Sequence, residues 1–232
     1  MGYGVEAQPA TICPNVWTFT LYTTAYPNGT TDISEAAASN QTVIIVHGWE
    51  QCATQSWILR AKDAHLAVEE RNVIALDWSK EAMNAWYPSS AQAVPAVGIF
   101  LGEAIYEWVR NGTITLATTR LVGFSLGAHV CAFAGQVYQN KTGGENLTNI
   151  IALDPAKELF ESKPVDERLD AGDATMVQVF HTIVLKTCGN DQLSCPYTPG
   201  VPIDNLLLAA CKFRASIKIT IFCSFLQPHT VG

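Results

Sequence analysis

At 232 residues the chain is long enough for one α/β domain with a sizeable core, and it needs no second domain. Hydrophobic residues make up 48% and charged residues 15%, which excludes a disordered chain, and the formal charge of −7 argues against nucleic acid and anionic membranes as partners. The longest late apolar run, Ile217 to Leu226, is broken by Lys218 and is too short to span a bilayer, so a soluble domain is expected.

Taken in chain order, Val16 to Tyr22 alternates apolar and polar residues, predicting an early antiparallel strand that ends before the Pro27-Asn28-Gly29 turn. Thr42 to Val46 is a continuous apolar run, as a strand buried on both faces requires, and it stops at His47-Gly48-Trp49. Gln55 to Arg71 has Trp57, Ile58, Ala61, Ala64 and Val68 at helical spacing. Asn72 to Asp77 then predicts the next buried strand. Between Ala91 and Arg110 a 3.6-residue period runs through Val94, Val97, Leu101, Ile105 and Trp108, closed by Asn111-Gly112. Arg120 to Gly123, Asn149 to Leu153 and Met176 to Phe180 are three more strands, and Ala128 to Gln136 is a helix. Buried runs alternating with helical patterns predict an α/β fold with a mostly parallel central sheet and helices on both faces.

The motif Gly123-Phe124-Ser125-Leu126-Gly127 stands between a strand and an Ala-rich helix. That is the context of a nucleophile elbow, where a serine on a strained turn needs neighbours without Cβ so that strand and helix can close together. Reacting groups in such sheets sit beyond the carboxyl ends of the strands. His47-Gly48-Trp49, Asp77-Trp78, Ser125, Asp154 and His181 each sit at the carboxyl end of a predicted strand.

Five Asn-x-Thr sequons, at Asn28, Asn40, Asn111, Asn140 and Asn146, exceed the roughly 1.5 that composition alone gives, and all fall at turns or element ends. None of the seven cysteines forms a C-x-x-C pair or a zinc-ligand spacing, so disulfides are favoured over metal and no cofactor is expected. The odd count leaves at least one thiol, with Cys131 in the helix after the elbow as the buried candidate. Cys188–Cys195 and Cys195–Cys211 remain rival bridges. Sequons and cysteines together predict an extracellular glycoprotein. Met1 to Ala10 has no apolar signal core, so the start reads as a processed form, a fragment or a mis-assigned Met.

Five segments in order, VIIVHGW (43–49), NVIALDWS (72–79), LVGFSLGAHVCAFAG (121–135), IIALDPAKELF (150–160) and ERLDAGDATMVQVFHT (167–182), resemble the secreted pancreatic-lipase family. That family comprises triglyceride lipases, phospholipases A1 and insect yolk proteins that no longer catalyse. The resemblance is strong over roughly residues 15–182 and weak beyond, and it implies a single α/β-hydrolase domain with no C-terminal β-sandwich. It also implies Ser125 as nucleophile, Asp154 as triad acid, and the backbone N–H groups of Trp49 and Leu126 as oxyanion donors. His47 reads as a loop-fixing hydrogen bonder.

The base is the departure. Where the family carries its catalytic histidine, Cys211-Lys212-Phe213-Arg214-Ala215 puts Phe213, and the preceding lid is rebuilt as Cys188 to Gly200. His181 is the candidate substitute base. His129 reads as a packed residue beside the site, His229 has nothing to position it, and His65 reads as helix filling. Two functions stay open: a secreted lipase or phospholipase A1 acting on lipid esters without cofactor, and an inactive relative that binds, carries or stores lipid. Both leave room for contact with a lipid surface.

Overall fold

The computed structural model describes Cys13 and residues 16–181. Phe213, His229 and the cysteines from Cys188 onward lie outside the described residues.

One six-stranded sheet, in the order β1-β3-β2-β4-β5-β6, organises these residues. Its strands are β1 (Thr18–Tyr22), β2 (Gln41–Val46), β3 (Arg71–Asp77), β4 (Thr119–Phe124), β5 (Leu147–Leu153) and β6 (Ala174–Phe180). β1 runs antiparallel to β3; every other pairing is parallel. The chain crosses over β2 on its way from β3 to β4, so the carboxyl ends of β2 and β4 flank the topological switch where α/β sheets place their sites.

Strand alternation divides the core into two layers. Ile44, Val46, Ile74, Leu76, Leu121 and Ile150 face α3 (Tyr87–Arg110) and α4 (Leu126–Thr142), where they meet Val94, Leu101, Val130 and Ala134. Tyr22, Val43, Ile45, Val73 and Ala75 face the opposite way, onto Ile58 of α1 (Ser56–Val68). Helices therefore cover both faces, as the alternation of buried runs predicts. A short α2 (Ser79–Ala82) follows β3 and has no apolar period from which to read it.

Several boundaries differ from the sequence reading. Arg71 opens β3 instead of closing α1, because its backbone pairs with Gln41 across the sheet. α3 begins at Tyr87, with Pro88 in the first turn where its missing N–H costs nothing, and α4 runs on to Thr142. β4 is not buried throughout: Arg120 is exposed while Thr119, Leu121 and Gly123 are buried. β6 likewise leaves Met176 46% exposed. The inner strands β2 and β3 match the continuous apolar pattern; β4 to β6 bury one face more fully than the other.

Cys13 is bonded to Cys52, a link across 39 positions that cysteine spacing alone does not announce. Cys131 is a free, fully buried thiol, as expected, and burial raises its pKa far above the ordinary range.

Candidate active site

β4 delivers the chain to Ser125, which takes φ 54° and ψ −119° before α4 begins at Leu126. A residue with a Cβ rarely adopts this conformation, and holding it there costs on the order of 1–3 kcal/mol. The neighbours over-determine the turn. The Ser125 N–H donates to the Leu153 carbonyl at 3.0 Å, and the Ser125 carbonyl accepts from Ala128 at 3.1 Å and from Ala156 at 3.3 Å.

The glycines close the elbow by contact with backbone. A Cβ on Gly123 would lie 2.4 Å from the Gly127 carbonyl oxygen, which is the strand-to-helix closure the motif implies. A Cβ on Gly127 would instead lie 2.4 Å from the Val46 oxygen and 2.5 Å from the His47 oxygen, at the end of the neighbouring strand β2. Gly48 completes the arrangement, since a Cβ there would sit 2.8 Å from the Ser125 Cβ. The loop after β2 thus lies directly against the serine.

His47 fixes that loop. Its Nε2 lies 3.1 Å from the Trp78 N–H, a donor only, so Nε2 is unprotonated and accepts. The proton then resides on Nδ1, which donates to the Gly48 carbonyl at 2.9 Å. The Trp78 indole N–H returns a bond to the His47 carbonyl at 2.8 Å, and the two rings stack. Burial pushes the His47 pKa down to about 4, so the ring is neutral. Asp77 lies beside it at 4.0 Å, with its oxygens taken by the Ala53 and Ser79 amides. Both ring nitrogens are occupied by backbone groups, as a loop-fixing residue requires.

Leu126 is the first residue of α4, so its N–H is one of the opening amides with no acceptor inside the helix. The Trp49 indole donates to the Asn84 carbonyl at 2.8 Å, and its ring meets Tyr87 edge-on at 5.1 Å. Tyr87 donates in turn to the Glu158 carbonyl at 3.2 Å; burial first, then Glu158, push the pKa of its hydroxyl up to about 12. The loops after β2 and β5 are therefore strapped together across the start of α3.

Asp154 directly follows β5 with φ 43°, and its N–H donates to the Phe180 carbonyl at 2.7 Å. Ser125, Asp154 and His181 follow β4, β5 and β6, three adjacent strands, with Leu153 in register with Phe180. Asp154 thus stands between the serine strand and the strand that ends at exposed His181. His129 is buried on α4 with both nitrogens bonded to backbone, and burial pushes its pKa down to about 4. His65 lies on α1 against Arg71, at the opposite edge of the sheet. Among the described residues no group of side chains is placed to hold a metal ion.

A further regularity escaped the sequence. The non-glycine residues with positive φ among those described are Glu50, Ser125, Asp154 and Leu159, all in loops after β2, β4 or β5. Only Ser125 carried a motif that could announce it.

A central parallel sheet with a strained serine between strand and helix defines an α/β-hydrolase. Within that class the chain belongs to the lipase family, whose model matches residues 18–191. It is 32% identical over 170 residues to a phospholipase A1 of Vespula maculifrons, covering 70% of this chain and 56% of that protein. It is 36% identical over 174 residues to human inactive pancreatic lipase-related protein 1, covering 71% of this chain and 36% of that one. Rat lipase member H is 31% identical over 153 residues, 66% of this chain and 33% of the relative. The matches thus span between a third and rather more than half of these relatives.

Proposed function

We propose that the chain carries the catalytic fold of an extracellular lipid-ester hydrolase of the lipase or phospholipase A1 kind. Ser125 is the nucleophile, Asp154 the acid that orients the base, and the Trp49 and Leu126 amides the oxyanion donors. The observation that carries this is the elbow: a serine held at φ 54° with Gly48 packed against it. Holding a serine in this conformation costs stability, and a strained serine between strand and helix is the arrangement that acyl transfer from a nucleophile elbow requires.

In that reaction Ser125 Oγ attacks the ester carbonyl and its proton passes to the base. Negative charge develops on the carbonyl oxygen, where preorganised N–H groups stabilise it. Collapse expels the alcohol, which takes the proton back, and water then hydrolyses the acyl-enzyme by the same sequence. No cofactor enters. The lipid character of the substrate is supported by exposed apolar side chains next to residues of the Trp49–Tyr87–Glu158 strap: Met83, Trp86 and Leu159 are 51%, 70% and 51% exposed. Leu159 also lines a groove of about 200 Å³ with Ala91, Gln92, Phe160 and Lys163. Among the described residues no helix is long and apolar enough to cross a membrane. Extracellular placement is supported by the Cys13–Cys52 bridge and by the exposed sequon residues Asn28, Asn111 and Asn140.

A second reading, an inactive lipid-binding relative, is favoured by one observation: Phe213 stands where the resemblance places the catalytic histidine. His181 is the substitute base to test, although Asp154 lies between its strand and that of Ser125. Labelling with a fluorophosphonate decides between the readings, because it reports an activated serine without knowledge of the substrate. The hydrolase reading expects stoichiometric labelling that Ser125→Ala abolishes. His181→Ala should abolish it too if His181 is the base. An unlabelled, folded wild type would leave the lipid-binding reading standing.

A further inference from the structure

We propose that His129 is a positioning residue: it clamps the loop that carries Asp154 onto the elbow helix. This rests on the reading of Asp154 as the triad acid.

The geometry assigns the tautomer. His129 Nδ1 lies 3.0 Å from the Leu169 N–H, which can only donate, so Nδ1 accepts. Nε2 therefore carries the proton and donates to the Ala156 carbonyl at 2.8 Å. The same residue, Ala156, donates its N–H to the Ser125 carbonyl at 3.3 Å. Ala156 is thus held through both its N–H and its carbonyl, once by the elbow serine that precedes α4 and once by a side chain of α4 one helical turn further on. Two residues earlier, Asp154 is tied from the other direction, its N–H on the Phe180 carbonyl of β6. The acid is suspended between two fixed elements.

The ring is placed for this. It stacks on Phe160 at 3.8 Å with 9° between planes and is 4% exposed. Arg168, whose guanidinium donates to the Lys163 and Leu169 carbonyls, stiffens the segment that supplies the Leu169 amide. Burial keeps the ring neutral, and Arg168 and Lys163, the cations that face His129, act in the same sense. A neutral ring is required, because a doubly protonated imidazole cannot accept from Leu169. An ordinary packed histidine needs only some partner for each nitrogen. Here both partners belong to the single excursion between β5 and β6 that begins with Asp154.

The test compares His129→Phe, which keeps a ring on Phe160 and removes both hydrogen bonds, with His129→Gln, which retains a donor and an acceptor. Hydrolysis of a short-chain p-nitrophenyl ester, thermal unfolding, and amide exchange at Ala156 and Leu169 are measured for each. For His129→Phe, kcat should fall about 10- to 100-fold with KM within about threefold of wild type, since a displaced acid spoils alignment and not binding. Exchange at Leu169 should accelerate at least about tenfold with its acceptor gone. His129→Gln should recover most of kcat and the protection of both amides. An unchanged kcat in a folded His129→Phe, or a raised KM with kcat intact, overturns the proposal. If His129→Phe does not fold, His129→Gln decides: a hundredfold loss despite protected amides overturns it, and retained kcat supports it. If wild type neither turns over nor labels, the hydrolase reading fails by itself. The clamp then stands or falls on whether Ala156 and Leu169 lose protection in His129→Phe.

Discussion

The two edges of the sheet solve the same problem with different residues. At the edge where the parallel strands begin, the chain reverses through Gly29, Gly112, Gly143 and Gly144, every one at positive φ. Those turns use the residue that adopts the conformation without strain. At the edge where the strands end, the positive φ angles belong to Glu50, Ser125, Asp154 and Leu159. There the same conformation is strained, because each residue carries a Cβ. The first edge is also laced by ordinary hydrogen bonds: Asn72 bonds both the N–H and the carbonyl of Ala37, and Thr115, Thr119 and Thr148 hydroxyls each donate to loop carbonyls. One edge closes the chain through glycine, and the other holds the same conformation with residues that carry side chains.

The sharpest way to break this contrast is Gly48→Ala. The added Cβ would meet the Ser125 Cβ at 2.8 Å and the Phe124 oxygen at 3.0 Å, neither at the end of a flexible side chain. The loop must then move, and the Trp49 amide moves with it. Labelling of Ser125 by a fluorophosphonate should slow about 100-fold, as loss of an oxyanion donor does. A rate within threefold of wild type would show that the loop does not set the chemistry.

Acid comes next, because His47 and His129 are both held neutral near the strained edge with pKa values pushed down to about 4. Between about pH 6.5 and 4 the unfolded chain binds two protons that the folded chain refuses, so these residues contribute stability above pH 6.5 that is lost as pH falls towards 4. Asp173 acts in the opposite sense. Burial raises its pKa to about 6, so the folded state keeps a proton that the unfolded state has released above its ordinary value of 3.8. Two against one leaves about one net proton taken up on unfolding, on the order of tenfold in the folding equilibrium per pH unit. Urea midpoints between pH 6 and 4.5 should fall in steps of that size. A flat profile would mean that at least one ring is charged in the folded protein.

The mildest expectation is Gly143→Ala on the opposite edge. No atom lies within 4 Å of the new methyl group, yet φ is 75°, so the cost is the backbone conformation alone. Stability should drop by about 1 kcal/mol with labelling unchanged. A loss of labelling there would tie both edges into the chemistry and erase the distinction.

What the sequence disclosed follows from range. β2 and β3 could be read because Val43 to Val46 and Val73 to Leu76 are buried on both faces, a signal contained in a few consecutive residues. Ser125 was legible because its packing partners Gly123 and Gly127 lie within two positions. His129 could be placed beside the site but not understood, since its acceptor and donor are Ala156 and Leu169, 27 and 40 positions away. The Cys13–Cys52 bridge and the Trp49–Tyr87–Glu158 strap are equally non-local. Arg71 was assigned to the wrong element because apolar periodicity ends ambiguously where a helix gives way to a strand.

The way Gly127 is packed changes what the motif is worth as evidence of descent with activity. Its missing Cβ makes room for the Val46 and His47 carbonyls, and that of Gly123 makes room for Gly127 itself. Selection for a folded chain alone would therefore preserve both glycines after a lineage had abandoned catalysis. Ser125 is itself confined, because the Gly48 backbone leaves room for its Cβ and for little more. An intact pair of glycines is thus weak evidence of activity, which turns on the serine hydroxyl and on a base able to take its proton.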